Sequence, residues 1–304
     1  MTDHDVIARV LGSLGAEGAR FVCVTRADPH SGRHVVARMR HQGDALFIKA
    51  ARDGAVDDEV AALKLARKLA VPAVVAAHSS AFAMTAIAGK PRDWSVDDVV
   101  AVAVLMARLH KIAAPKLRPL PGGATLASAV REGDTALALL VAAGTITRRA
   151  ATIVTKELAH RRKAVDDVVT FADPVSTWLC HGDLRGPNVL FAKGPPQLID
   201  FEHAGRGDPA VDLARTAAYE RLEGHRLFVF VDAYAEAAGG DDVVDRALAL
   251  LPALRLVLLL QRARRLIDGR LAALLTQTQR KTEAAATSSS LEALLQIDFP
   301  LVLS

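Results

Sequence analysis

The chain has 304 residues and a formal net charge of +4 at pH 7; hydrophobic residues make up 51% of it and aromatic residues only 4%. That length accommodates two domains or two lobes, and the apolar share indicates a globular protein whose core is mostly Ala, Val and Leu. Such a composition excludes a disordered chain, and the modest positive charge does not by itself indicate a nucleic-acid partner.

Cysteine usage and the apolar segments indicate where the protein works. Cys23 and Cys180 lie far apart and form no metal-binding spacing, so we expect two small core residues in a reducing compartment. The N-terminal MTDHDVIARV lacks the basic-then-apolar form of a signal peptide. The most apolar segment, 247–260, is interrupted by Pro252 and Arg255 and is too short to span a bilayer. We therefore predict a cytoplasmic protein without a membrane partner.

The N-terminal part of the chain is predicted to be rich in strands. A short amphipathic helix is expected at 3–14, and Val-rich segments with partial alternation predict strands at 21–25, 34–40 and 44–50. The loop 27–33 contains only one glycine, Gly32, and is weak as a phosphate-binding motif; a plain hairpin loop explains it equally well. A helix at about 53–69 and strands at 74–76 and 81–85 follow.

Beyond Gly89 and Pro91 the sequence turns helical, and no internal repeat is present. The first of these helices is capped by Asp93 or Ser95 and runs to Ala113. Further helices are predicted at about 126–142, 147–170, 210–222, 223–238, 241–268 and after Ser288. The low-complexity stretch 282–290 is expected to be a loop or a frayed helix.

One stretch departs from this helical pattern, at 181–202, with the sequence HGDLRGPNVLFAKGPPQLIDFE. Two short apolar segments, 188–191 and 197–201, flank a Lys-Gly-Pro-Pro turn and predict a small hairpin. Folding it back brings Asp200 beside Asn188, a pair of oxygen ligands suited to a hard cation such as Mg²⁺. Asp183 lies just upstream, free to act as a base. An ordinary hairpin with polar ends would explain any one of these residues, but not all of them at this spacing.

The same residues carry a family resemblance. HGDLRGPNVL, followed twelve positions after Asn188 by Asp200, resembles the H-x-D-x-x-x-x-N then D motif of the aminoglycoside phosphotransferase and choline-kinase-like family, and GDPAVDLA at 207–214 is also similar to it. The resemblance implies an α+β, protein-kinase-like fold of two lobes with ATP in the cleft. Its small β-rich N-terminal lobe, 1–88, would bind the nucleotide, and its larger, mainly helical C-terminal lobe, 89–304, would carry the catalytic and substrate site.

The resemblance also implies the nucleotide-binding residues. A lysine at a strand end is usually solvated, but in a kinase Lys49 would hold the α- and β-phosphates, oriented by an acid. Glu59 lies near the apolar face of the next helix and is the preferred acid, with Asp58 the alternative. FAMTAIAG is similar to the family's hinge, so the backbone of Thr85 and Ile87 would bind adenine. An Ala-rich edge strand explains that segment equally well.

The motif residues take roles from the same resemblance. Mg²⁺ would be held by Asn188 and Asp200, and Asp183 would accept the proton of the substrate hydroxyl or aim it. Three further roles are less closely defined: His181 would help to hold the catalytic loop, Asp212 either braces that loop or is a solvated helix acid, and Glu202 could contact a second Mg²⁺.

The predicted function is an ATP-dependent small-molecule phosphotransferase. Residues 201–245 carry ten acids against four arginines, whereas residues 111–163 carry ten bases against three acids. An acidic wall after the metal site favours a hydroxylated, cationic acceptor, an aminoglycoside or related basic antibiotic, although charged helix residues often simply face water. The alternatives are a kinase of a choline-, homoserine- or sugar-like metabolite and a catalytically silent nucleotide-binding relative.

Overall fold

A computed structural model describes most of the chain from the first strand to Ile267. The described residues are 7–8, 10–12, 15, 21–25, 34–51, 56–120, 138, 152, 155–156, 159 and 177–267. The predicted loop 27–33, most of the predicted helices at 3–14, 126–142 and 147–170, the predicted helix after Ser288, and the stretch 282–290 lie outside them. The chain divides into two compact units, one made of residues 1–120, 174–216 and 222–244 and the other of residues 121–173, 217–221 and 245–304.

A five-stranded antiparallel sheet forms the N-terminal part of the first unit. Its strands are β1 (Phe21–Thr25), β2 (His34–His41), β3 (Asp44–Ala51), β4 (Val74–His78) and β5 (Ala81–Thr85). Their order in the sheet is β1-β2-β3-β5-β4, and every neighbouring pair is antiparallel. All five predicted strands are confirmed, with β2, β3 and β4 extending one or two residues beyond the predicted ends.

Strand β3 separates a hydrophobic core from the face that carries Lys49. Leu46, Ile48 and Ala50 point to one side, where they pack with the following buried residues: Ile7, Val10, Leu11, Val35, Ala37, Met39, Ala81 and Ala83. Because side chains alternate along a strand, Lys49 points to the other side. Lys49 lies within β3 rather than at its end as predicted, since the ladder with β2 continues through Ala51.

The helix α1 (Asp57–Leu65) is shorter than the predicted span of 53–69. Its last turn closes where the Ala66 N–H bonds to the Ala62 carbonyl, and the chain then turns, with the Leu69 N–H donating to the Ala66 carbonyl. The buried face of α1 comprises Glu59, Val60, Ala62 and Leu63. The face of β3 opposite the hydrophobic core and the buried face of α1 thus each carry one charged side chain.

The segment after β5 is fixed against the hairpin predicted at 188–201. Lys90 exchanges two backbone hydrogen bonds of 3.1 Å with Phe191. Gly89 has φ +129°, and a Cβ there would lie 2.9 Å from the Phe191 carbonyl oxygen, so only glycine fits. Helix α2 (Val96–Leu109) then begins at Ser95, whose side chain forms a capping box with Asp98.

Helix α2 ends earlier than predicted, and the rest of the described chain mixes short strands with helices. Ala113 is extended instead of helical because it bridges to Trp178. The strands are β6 (Trp178–Cys180), β7 (Val189–Leu190), β8 (Gln197–Leu198) and β9 (Gly205–Gly207), with β6 paired to β9 and β7 to β8. The helices are α3 (Pro209–Tyr219), α4 (Gly224–Ala238) and α5 (Asp242–Ile267), close to their predicted ranges. Among the helices described, none is long and apolar enough to cross a membrane.

Candidate active site

The side chain of Lys49 lies among three carboxylates. Its Nζ is 3.0 Å from Glu59 Oε1, 2.5 Å from Asp200 Oδ1 and 3.2 Å from Glu202 Oε2. Burial alone would lower the pKa of Lys49, but these carboxylates outweigh burial and hold the pKa above its ordinary value. Of the two acids considered for Lys49, the structure brings Glu59 to it, whereas Asp58 lies 3.6 Å from Arg118.

Residues 181–188 form the loop that follows β6, called the catalytic loop below, and this loop orients the carboxylate of Asp183. Asn188 Nδ2 donates to Asp183 Oδ2 at 3.2 Å and to the Asp183 carbonyl at 2.8 Å. Because both partners are acceptors, the amide nitrogen of Asn188 must face them, and its Oδ1 faces the other way. No donor among the described residues reaches that oxygen. Asn188 therefore offers an oxygen while its nitrogen holds Asp183.

The hairpin brings Asp200 next to Asn188. Val189 pairs with Leu198, and the Ile199 N–H donates to the Asn188 carbonyl at 3.0 Å. Asp200 itself has φ 64° and ψ 67°, a left-handed conformation that is uncommon for a residue other than glycine. This backbone turn ends β8 at Leu198, short of the predicted strand end, and it directs the Asp200 carboxylate to Lys49.

Three side chains of helix α3 form hydrogen bonds to the backbone of the catalytic loop. These residues, Asp212, Arg215 and Thr216, have the i, i+3, i+4 spacing of one helix face. Together they satisfy four backbone groups of the loop. Asp212 accepts from the N–H groups of His181 (2.8 Å) and Gly182 (2.9 Å). Arg215 donates to the Gly182 carbonyl (2.6 Å), and Thr216 donates to the Leu184 carbonyl (3.0 Å). Asp212 is therefore a bracing acid and not a solvated one.

A second layer of buried groups holds Asp212. His110 Nε2 donates to Asp212 Oδ2 at 3.2 Å, and His110 Nδ1 bonds to the Tyr234 hydroxyl at 2.8 Å. Burial would raise the pKa of Asp212, but its hydrogen bonds with His110 and with the backbone N–H of His181, together with electrostatic interactions with these residues, lower it to about 2. Neither His110 nor Tyr234 was given a role from the sequence, because the contacts join residues more than 100 positions apart.

Cys180 completes a buried cluster with His110 and Asp212. Their potential ligand atoms lie within 4.8 Å of one another. Both His110 nitrogens are engaged in hydrogen bonds, and burial raises the pKa of the Cys180 thiol, which disfavours the thiolate that metals bind. The cluster is thus a structural one. Cys180 is a buried core residue as predicted, while the side chain of Cys23 lies outside the described part.

His181 and Gly182 fix the start of the loop. His181 Nε2 donates to the Ile199 carbonyl at 3.0 Å, its ring packs on Phe201, and burial lowers its pKa, so the imidazole is neutral. Gly182 has φ +79°, and a Cβ there would lie 2.3 Å from the His203 carbonyl oxygen. The middle position of His-Gly-Asp therefore admits no side chain.

The predicted hinge residues lie where β5 ends. The Thr85 N–H donates to the Ala73 carbonyl at 2.9 Å, and the Ala86 N–H donates to the Ala45 carbonyl at 2.9 Å. These N–H groups are therefore already bonded within the sheet. The N–H of Ile87 makes no hydrogen bond to any residue that the structure describes, so it is open to a ligand.

The sequence places the chain in a known class. Residues 16–257 match the family model of the phosphotransferase enzyme family, APH, which is more than half of the chain. The chain therefore belongs to this family: it is a kinase, a phosphotransferase that acts on an alcohol group. A search of curated proteins gives no match.

Solved structures share the fold. A choline/ethanolamine kinase family protein from Mesorhizobium loti is 16% identical, with a TM-score of 0.61 and coverage of 97% of this chain and 95% of that one. An aminoglycoside phosphotransferase from Alicyclobacillus acidocaldarius is also 16% identical, with a TM-score of 0.59 and coverage of 94% of this chain and 97% of that one. A spectinomycin phosphotransferase in complex with ADP and spectinomycin is 12% identical, with a TM-score of 0.58 and coverage of 93% of each chain. The predicted α+β, protein-kinase-like fold is confirmed, with a small antiparallel sheet in the N-terminal lobe and a helical C-terminal lobe.

Proposed function

We propose that the protein is an Mg²⁺-dependent kinase that transfers the γ-phosphoryl group of ATP to a hydroxyl group of a small cationic molecule. The observation that carries the proposal is that Lys49 contacts both Glu59 and Asp200. Asp200 lies at the end of the hairpin that begins at Asn188, and the Asn188 amide donates a hydrogen bond to Asp183. Lobe 1–88 would bind the nucleotide, and lobe 89–304 would bind the acceptor.

The donor set fits a magnesium ion. Around Lys49, three carboxylates face one ammonium group, so the site has an excess of negative charge that a divalent cation would balance. Asn188 Oδ1 and Asp200 Oδ2 receive no hydrogen bond from the described residues, and both are the hard oxygen ligands that Mg²⁺ prefers. Bound there, the ion would neutralise charge on the β- and γ-phosphates.

The other residues bind and orient the reactants. Lys49 would exchange its contacts with Asp200 and Glu202 for the α- and β-phosphates, while Glu59 keeps it in place. The Thr85 carbonyl and the Ile87 N–H would bind adenine, since the Thr85 N–H is already used. Asp183 would accept the proton of the acceptor hydroxyl, which must lie within hydrogen-bond reach of its carboxylate.

For the acceptor we propose an aminoglycoside or a related basic antibiotic, which would make the enzyme a resistance determinant acting in the cytoplasm, where ATP is available. Three of the ten acids at 201–245 are used internally: Glu202 on Lys49, Asp212 under the loop, and Asp208, which accepts from the Ala210 N–H at 2.9 Å. The exposed acids that support the proposal are Glu223, Asp232, Glu236, Asp241, Asp242 and Asp245. Their charge would attract a polycation over a long range.

Two measurements test the proposal. Mg²⁺ plus ATP should raise the melting temperature of the protein, and Asp200→Ala should strongly reduce that shift; absence of any shift at millimolar nucleotide would refute nucleotide binding. ATP consumption should then be measured against a panel of aminoglycosides, other basic antibiotics, choline, homoserine and neutral sugars. Preference for a neutral sugar would contradict the proposed acceptor class without affecting the kinase assignment.

A further inference from the structure

An arginine contacts the carboxylate proposed as the base. Arg185 Nε donates to Asp183 Oδ2 at 3.0 Å, and the Arg185 side chain is 46% exposed whereas that of Asp183 is 13% exposed. The guanidinium group therefore covers the carboxylate from the solvent side. Its backbone is fixed as well, because the Arg185 carbonyl accepts from the Asn188 N–H at 2.8 Å at the start of the 3-10 turn Gly186–Asn188.

The two oxygens of Asp183 are not equivalent. Oδ2 accepts hydrogen bonds from both Arg185 Nε and Asn188 Nδ2. Oδ1 receives none from the residues that the structure describes. A carboxylate held by two donors on one oxygen cannot rotate without breaking both bonds, so it presents the other oxygen in a fixed direction. The oxygen available to an acceptor hydroxyl is therefore Oδ1.

The reaction also brings two negatively charged groups close together at this position. The acceptor hydroxyl must lie between the Asp183 carboxylate and the transferring phosphoryl group, and both are anionic. Like charges at such short range repel, and the effect is stronger in a site that excludes water. A cation bonded to the far oxygen of the carboxylate offsets this repulsion without occupying the place of the acceptor. Arg185 has that position.

We propose that Arg185 is a positioning residue for Asp183, which holds Oδ2, leaves Oδ1 to the acceptor, and lowers the repulsion between the carboxylate and the phosphoryl group. The inference rests on the proposed function. In the step it supports, the acceptor oxygen bonds to the γ-phosphorus, the bond from that phosphorus to the bridging oxygen breaks, and ADP leaves with the electron pair. The proton of the acceptor passes to Asp183 Oδ1.

The test uses water as the acceptor, so that it does not depend on knowing the natural one. In Mg²⁺-dependent hydrolysis of ATP by the full chain, Arg185→Ala should lower kcat by roughly 10²-fold, the scale of a misplaced catalytic group. The KM for ATP should stay within about twofold, because Lys49 and the metal ligands remain. Arg185→Lys should keep part of the rate, and guanidinium at low millimolar concentration should restore part of it to Arg185→Ala. Arg67→Ala removes an exposed arginine in the turn that follows α1, outside the residues proposed to act, and serves as the control.

A double-mutant cycle decides whether Arg185 acts through Asp183. In an Asp183→Asn background, Arg185→Ala should have little further effect on kcat. An equal loss in both backgrounds, or a loss that neither lysine nor guanidinium relieves, would overturn the inference. A normal rate in the Arg185→Ala variant, together with an impaired rate in the Asp183→Asn variant, would also overturn the inference. That result would leave the proposed function standing. A wild-type chain that neither hydrolyses ATP nor is stabilised by Mg²⁺ and ATP would overturn the proposed function, and this inference with it.

Discussion

The imidazole of His110 donates a hydrogen bond of 3.2 Å to the carboxylate of Asp212, and both side chains are buried. Asp212 in turn accepts from two backbone N–H groups at the start of the catalytic loop. An ionised carboxylate in the interior is costly unless such donors satisfy it. The loop that carries Asp183 is therefore held by a charged group whose own position depends on α2 and, through Tyr234, on α4.

The first prediction concerns this buried carboxylate. Asp212→Asn should lower the free energy of unfolding by about 2–4 kcal/mol, because the amide removes the charge and turns a donor toward groups that are themselves donors. Tyr234→Phe is the matched control, since it removes one neutral hydrogen bond and should cost about 1 kcal/mol. Urea unfolding monitored by circular dichroism measures both. Equal losses in the two variants would show that the charge of Asp212 is not what the loop requires.

The second prediction is a loss of stability in acid. The pKa of Asp212 is about 2 in the folded protein and 3.8 in its ordinary state, so Asp212 stabilises the fold above pH 3.8, and this contribution, roughly 2 kcal/mol, is lost as the pH falls toward 2. The pKa of His181 is also lowered, mainly by burial. As the pH falls, the His181 imidazole is therefore protonated in the unfolded chain before it is protonated in the folded protein. Stability should already begin to fall as the pH drops below 6.5.

Urea unfolding between pH 7 and pH 2 measures both contributions. The decrease near pH 6 should disappear in His181→Gln, which cannot take up a proton, whereas the decrease near pH 3 should remain in that variant. A wild-type stability that does not change between pH 7 and pH 5 would contradict the assignment of a neutral, buried His181.

The third prediction separates nucleotide binding from chemistry. Asp183→Asn should keep the stabilisation by Mg²⁺ and ATP, because the isosteric amide leaves Lys49, Asn188 and Asp200 in place. Turnover should fall by roughly 10²–10⁴-fold, the usual scale for a positioned acid or base. Turnover close to that of the wild type would mean that Asp183 is not the proton acceptor. Thermal shift and initial-rate measurements on the same preparation check both halves.

Most of the fold could be predicted from sequence because its signals are local. Strand alternation located β1 to β5, and the helix and capping patterns located α1 to α4. The hairpin at 189–198 followed from its prolines and Gly194 between two apolar segments. The preference for Glu59 over Asp58 followed from the helix period, since Glu59 is one turn before Leu63 on the apolar face, and the structure brings Glu59 to Lys49.

What could not be predicted depends on contacts distant in sequence. Strands β6 and β9 have three residues each, and Gly-Arg-Gly carries no apolar pattern, so their pairing is set by the surrounding fold. Arg215 and Thr216 share a helix face with Asp212, but polar residues at that spacing usually face water. The left-handed backbone of Asp200 shortened a strand that the pattern LIDF would have continued.

The fourth prediction follows from the close packing of Gly182. Gly182→Ala should destabilise the protein severely and abolish turnover, because the new Cβ would overlap the His203 carbonyl as well as straining a left-handed backbone. Gly239→Ala is the control: Gly239 has φ +88° but nothing within 4 Å of its Cβ position. It should therefore show only the strain, about 1–2 kcal/mol. Similar unfolding midpoints for the two variants would mean that the catalytic loop moves away from His203 without cost.

The last prediction concerns the charge of the acceptor. If the exposed acids near α4 attract a polycation, the KM for the best acceptor should rise steeply with salt, because ions screen this attraction beyond about 10 Å at 0.1 M. Glu223→Lys and Asp241→Lys reverse two exposed charges at opposite ends of α4 and should raise that KM further, while the KM for ATP stays unchanged. Asp44→Lys, at an exposed acid that begins β3, has the same change in net charge and should leave the KM for the acceptor nearly unaffected. Equal effects of all three reversals would indicate that only net charge matters, and a salt-independent KM would show that these acids are solvated surface with no part in binding the acceptor.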